Sequence, residues 1–170
     1  MTQAELDELR RSAETETPMT HVALEDMANP EHVRRQMQRE FETALRRNES
    51  TEKLIQRLQR VSGMSRERAA RIAQTERTRA TNGGRYAAAV EEYEKAYKKA
   101  VRQHKKRPPK PVFQWINPRY AKEPRPHHVA ISGNRKPIGE KWLGKLLYPG
   151  DPHGPIGETI NCHCYIRRVR

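Results

Sequence analysis

Thr159-Ile160-Asn161-Cys162-His163-Cys164-Tyr165-Ile166-Arg167-Arg168-Val169 is the stretch that decides how this chain is read, because it holds both cysteines, one residue apart. Its apolar positions, Ile160, Cys162, Cys164 and Ile166, alternate. A period of two belongs to a strand with one buried face. The pattern predicts a closing strand that turns both cysteines inward and Asn161, His163 and Tyr165 outward. Such a pair of thiols admits three readings: a metal site, a catalytic site, or two small apolar side chains in a core.

Working back from this strand, residues 134–157 are rich in Gly and Pro and read as loop, with Trp142, Leu143, Leu146 and Leu147 as a short helical or apolar plug. His128-Val129-Ala130-Ile131-Ser132 reads as a strand or turn ending at Gly133, residues 117–127 as a Pro- and Arg-rich loop, and Val112-Phe113-Gln114-Trp115-Ile116 as a strand. Before Pro108 the period is helical. Leu6 and Leu9 predict a short helix over 3–14, followed by a loop or lightly held arm over 12–28. Asn29-Pro30 starts a helix, with Asn as cap and Pro at the first position, and Val33, Met37, Phe41, Ala44 and Leu45 line its face. Leu54, Ile55, Leu58 and Val61 form a second face that stops at Ser62-Gly63.

Ser65 caps the next helix, where Ala69, Ile72, Ala73, Glu76 and Ala80 share a stripe. A carboxylate on a buried stripe is costly unless it is paired or hydrogen-bonded. Glu76 therefore either reaches water at the stripe edge or holds a partner from the C-terminal region, such as Arg125 or a histidine. Asn82-Gly83-Gly84 is expected to kink or end this helix, and Tyr86, Val90, Tyr93, Tyr97 and Val101 give another helical face. The fold class is α+β: N-terminal amphipathic helices, then a small strand-and-loop module closed by a terminal strand. The expected divisions are an N-terminal helical arm over 1–61, core helices over 62–107, and a basic strand-and-loop module over 108–170.

Charge separates these regions. Residues 1–60 carry 10 Lys/Arg and 12 Asp/Glu, net −2, whereas residues 61–170 carry 24 and 9, net +15. Such a surplus attracts a polyanion, nucleic acid above all. Lys98, Lys99, Arg102, Lys105, Lys106, Arg107 and Lys110 form an acid-free run that predicts phosphate contacts. Part of that run also suits the negative end of a helix dipole. With 34% hydrophobic residues the core is thin for 170 residues, so the N-terminal helices are expected to pack on a partner, their own copy included. No run has the length of a membrane span and no signal peptide is evident, so the chain reads as intracellular, with reduced thiols.

Three chemistries suit the polar residues of the C-terminal module. Cys162 and Cys164 with His128, completed by His127, His153 or His163, would hold zinc, although Cys-x-Cys is not the usual Cys-x2-Cys knuckle. His127-His128 with Asn134 and a later histidine suits a metal-dependent nuclease or other nucleic-acid-processing enzyme, but acids are scarce and Asp151 is the only Asp after residue 26. A thiol nucleophile with a histidine base is poorly served by an inward strand face.

The helix segment Arg71-Ile72-Ala73-Gln74-Thr75-Glu76 with Ala80 and Asn82, then Trp115, then Arg125-Pro126-His127-His128-Val129-Ala130-Ile131-Ser132-Gly133, then Tyr148-Pro149-Gly150-Asp151-Pro152, and last Asn161-Cys162-His163-Cys164 occur in that order. This ordered set resembles the phage Mu F-like minor head proteins, also called phage head morphogenesis proteins, and spans roughly residues 60–168. Within the family pattern Arg-x-x-His-x-x-apolar-x-Gly, the histidine falls at His128. Two positions depart from it. An Asp expected ahead of Arg-x-x-His is replaced by Lys122 and Glu123, and His163 stands between the cysteines in place of Arg. The chain is also short for the family, with its helical N-terminal region trimmed.

The resemblance implies a non-catalytic minor capsid protein, made in the host cytoplasm and carried inside the virion head. Its partners would be the portal, other head proteins and double-stranded DNA bound without sequence preference, with no membrane. It further implies a structural cluster of Glu76, Arg125, His128, Asn161, Cys162 and Cys164 that ties helix to terminal strand. No cofactor is expected from the family; zinc at His128, Cys162 and Cys164 is the one metal the residues themselves suggest.

Overall fold

A computed structural model describes residues 3–13, 24 and 27–169, so that most of the arm expected over 12–28 lies outside the described residues. The chain divides into two compact units, one of Met1–Thr15 with Thr78–Arg170 and one of Glu16–Arg77. The α+β class is borne out, with helices ahead of a three-stranded antiparallel sheet whose last strand lies at the C-terminus.

In the Glu16–Arg77 unit, helix α2 spans Pro30–Arg46 and α3 spans Thr51–Ser62. Asn29 caps α2 from a left-handed backbone (φ 53°), its side chain accepting from the His32 N–H, and Pro30 takes the first position, where no N–H is needed. Ser50 caps α3, and Gly63 ends it at φ 68°, the left-handed conformation that glycine adopts without a Cβ clash. Met37, Phe41 and Ala44 of α2 and Leu54 and Leu58 of α3 are fully buried. Leu45, expected inward, is 38% exposed; it sits in the last turn, to one side of the Met37–Phe41–Ala44 line.

One arginine ties this unit together. Arg57 sends Nε and Nη2 to Glu49 at 2.6 and 2.8 Å and Nη1 to Glu40 at 2.6 Å. The Arg57 hydrogen bonds hold the Glu49 carboxyl below its usual value of 4.5. A depressed carboxyl contributes stability above that value and loses it as pH falls through the folded-state pKa. Thermal unfolding against pH is therefore expected to drop below pH 4.5 more steeply in the wild type than in Arg57→Met. Parallel curves would remove Arg57 as the cause.

Helix α4, Arg66–Arg102, supplies residues to both units. It runs unbroken through Asn82-Gly83-Gly84, against the expected kink. An Asn inside a helix usually competes for backbone groups, but this side chain is turned inward and fully engaged. Glycine in a helix interior costs about 1 kcal/mol relative to alanine, a penalty that a helix anchored on both sides of the pair tolerates.

In the other unit, α1 (Gln3–Ala13) buries Leu6 and Leu9 in a core with Tyr86, Val90, Tyr93, Phe113, Ile138, Tyr148 and Ile166. Strand β1 (Val112–Ile116) is central, flanked by β2 (Arg135–Pro137) and β3 (Tyr165–Val169). Phe113 faces Lys136 on one side and Arg168 on the other. The three-residue β2 falls where loop was expected; it is too short to show a period, and its Pro137 is confined to the sheet margin.

The segment read as a strand or turn at 128–132 is instead a short helix, α5 (Pro126–Ala130), followed by a turn. Pro126 opens it at the position a helix start favours. Trp142 and Leu146 form a β-bridge rather than a helical plug. The terminal strand is also shorter than expected. Residues Ile156–Thr159 form helix α6, and Asn161 sits at φ 50°, which breaks extended backbone ahead of Cys162. Ile160 is consequently 40% exposed, while Cys162, Cys164 and Ile166 keep the inward alternation. No helix among the described residues is long and apolar enough to cross a membrane.

Candidate functional site

The inward cysteines meet a histidine. Helix α5 buries the His128 ring (1% exposed), and Nδ1 lies 3.7 Å from both Cys162 Sγ and Cys164 Sγ. The other ring nitrogen, Nε2, is 3.1 Å from a Glu158 carboxylate oxygen on α6. That oxygen also meets His127 Nε2 at 2.7 Å, and Lys145 Nζ lies 3.7 Å from its partner oxygen. The His127 hydrogen bond first, and His128 after it, hold Glu158 below the usual carboxylate value. An ionised Glu158 accepts a hydrogen bond from His128 Nε2–H and so leaves the Nδ1 lone pair toward the sulfurs.

Both cysteines are free thiols. A hydrogen bond from Cys164 holds Cys162 below the usual thiol value, against the opposing effect of burial. Cys164 is pushed up, first by its hydrogen bond to Cys162 and then by burial. Asn117 Nδ2 donates to Cys164 Sγ at 3.5 Å, and the buried Trp115 indole N–H has no hydrogen-bond partner among the described residues. Trp115 also packs edge-on against the His128 ring, with centroids 5.1 Å apart. Burial lowers the proton affinity of His163, on the outward face between the cysteines, against the opposing effect of Cys162.

The backbone carrying the cysteines is held from α4. Thr78 Oγ1 donates to the Cys162 carbonyl at 2.5 Å. Asn82 Nδ2 reaches the carbonyls of Pro149 and Cys164, both at 3.2 Å, and Asn82 Oδ1 accepts from Ile166 N–H at 3.0 Å. Arg125, just ahead of α5, donates to the carbonyls of Gly157 and Ile160 at 2.7 and 2.8 Å. Asn161 is exposed and lines, with Asn117, Pro124 and the His128–Cys162–Cys164 trio, a cavity of about 20 Å³.

Of the residues singled out from the sequence, His128, Cys162 and Cys164 are in direct contact, and Arg125 and Asn161 flank them. Glu76 is buried, 3% exposed, on the part of α4 that belongs to the Glu16–Arg77 unit. Glu158, Trp115, Asn117 and Thr78 were not singled out as site residues. For Thr78 and Asn82 a signal existed: with Tyr86 they recur every four residues, a helical face with polar groups on an otherwise apolar line. Glu158 sits in a Gly/Pro-rich stretch without a readable period.

The basic run lies apart, at the end of α4 and in the segment after it. Lys98 is paired with Glu94, and the Arg107 guanidinium stacks over Tyr97 at 5.4 Å from the ring centre. Lys99, Arg102, Lys105, Lys106 and Lys110 are exposed or nearly so and have no acidic partner among the described residues. No family model, curated protein or solved structure matches the chain.

Proposed function

We propose that this protein is a non-catalytic minor component of a tailed-phage or prophage head, which assembles in the host cytoplasm beside the portal and meets packaged double-stranded DNA through its basic C-terminal two-thirds. One observation supports this reading above others. Several separated pieces of sequence that carry the phage-head resemblance meet within one compact unit. Asn82 of the helix bonds to Pro149 of the Pro-rich loop and to Cys164 of the terminal motif, and His128 meets Cys162 and Cys164. A set of motifs that recurs in order and closes on itself is what a shared fold leaves in a sequence. The N-terminal helices would serve self-association or docking to other head proteins.

Binding to duplex DNA tests the charge part of the proposal. The logarithm of the association constant is expected to fall linearly with the logarithm of salt concentration. Replacing Lys99, Lys105, Lys106 and Lys110 together with alanine should reduce that slope by about 3 to 4, at about 0.9 for each phosphate that is no longer neutralised. An unchanged slope would move the DNA-binding surface elsewhere. Magnesium- or manganese-dependent cleavage of plasmid or RNA that His128→Ala abolishes would overturn the non-catalytic assignment.

A further inference from the structure

We propose that His128 Nδ1, Cys162 Sγ and Cys164 Sγ are three ligands of a zinc ion, with Glu158 as the partner that orients the histidine. The proposal stands independently of the phage-head reading.

Geometry carries it. The three ligand atoms lie within 4.8 Å of one another, and each sulfur is 3.7 Å from the one nitrogen. With Zn–S of about 2.3 Å and Zn–N of about 2.0 Å, the S···N edge of a tetrahedron is about 3.5 Å. The trio is thus already at coordination spacing. A hydrogen-bonded explanation accounts for less of it, since a single Nδ1 lone pair accepts one S–H, yet two sulfurs stand equally near it.

The surroundings agree. Metal-bound histidine ordinarily gives its second ring N–H to a carboxylate, which fixes the tautomer and raises the basicity of the ligating nitrogen. Glu158 is so placed, 3.1 Å from His128 Nε2. Asn117 Nδ2 provides an N–H donor for a metal-bound thiolate at Cys164. Two thiolates and an imidazole are a donor set that suits zinc better than magnesium or calcium. The trio lines the cavity of about 20 Å³, and a space of about 10–15 Å³ admits one water, so a water molecule can complete the tetrahedron. A cross-link between α5 and the segment leading into β3 would also organise a module with little regular structure of its own.

The test uses the full chain, purified under reducing conditions, incubated with equimolar zinc and dialysed. Elemental analysis is expected to find about one zinc per chain, against below about 0.1 in Cys162→Ser/Cys164→Ser. Cobalt(II) in place of zinc should give thiolate-to-metal charge-transfer absorption. Because the cysteine variant can fail to fold, Glu158→Gln provides a second measure. It keeps all three ligands and is expected to bind zinc 10- to 100-fold more weakly in competition with a chromophoric chelator. Wild-type zinc below about 0.1 per chain, or zinc retained in full by the double cysteine variant, would overturn the proposal.

Discussion

Asn82→Ala is expected to destabilise the protein by about 3–5 kcal/mol, because it leaves several buried backbone groups without partners, each costing about 1–3 kcal/mol. The Asn82 amide serves the carbonyls of Pro149 and Cys164 while its oxygen serves the Ile166 N–H, and the residue itself is 1% exposed. Alanine can continue the helix but reaches none of these groups. Urea denaturation monitored by far-UV circular dichroism would read the loss as a lower midpoint at unchanged slope. A loss under about 1 kcal/mol would mean that water substitutes for the side chain. Asn82→Asp separates the two halves of the interaction. It retains the acceptor for Ile166 but cannot donate to the two carbonyls, and it buries a charge, so it should be no better tolerated than alanine.

Gly150→Ala is expected to cost about 2–5 kcal/mol, from left-handed backbone strain of about 1–2 kcal/mol together with overpacking of about 1–3 kcal/mol. Gly150 has φ +80°, and a Cβ there would lie 2.9 Å from the Arg79 backbone nitrogen and 3.1 Å from its Cα. The obstruction is helix backbone rather than the far end of a flexible side chain, so the loop itself must move. That movement would also disturb Arg79 Nε, which donates to the Gly150 carbonyl at 3.3 Å. Gly157→Ala is the control, since a Cβ there meets nothing within 4 Å and its φ is not positive. The same denaturation experiment should place Gly157→Ala within about 0.5 kcal/mol of wild type. Equal effects at the two glycines would refute the steric argument.

Local chemistry was legible wherever a single residue type has a strong positional meaning. Asn29-Pro30 marked the start of α2, Gly63 the end of α3, Leu6 and Leu9 the buried side of α1, and Val112–Ile116 the central strand. The inward alternation of Cys162, Cys164 and Ile166 was readable as well. What stayed hidden depends on partners distant in sequence. The helix continues past Asn82-Gly83-Gly84 because Asn82 finds acceptors 67 and 82 positions away, which no local propensity encodes. Strand β2 exists only because β1 pairs with it. Asn161 entered a left-handed turn inside an alternating pattern, and the pattern alone gave no sign of it. Within the candidate site, His128 and the cysteines announced themselves by residue type, whereas Glu158 and Trp115 acquire their places only through tertiary packing.

The strand β3 has a further property. It lies at the margin of the sheet, with β1 on one side and no strand of the described residues on the other. Bare margins of this kind offer a row of backbone groups on which another chain can pair. Here Ile166 has both of its backbone groups occupied by α4, its N–H by Asn82 and its carbonyl by Arg85 at 3.2 Å. Two helical side chains thus stand in for the missing neighbouring strand, and Arg167 and Arg168 add charge to the same margin. The contacts that hold the terminal segment in place also obstruct strand addition along this margin at Ile166.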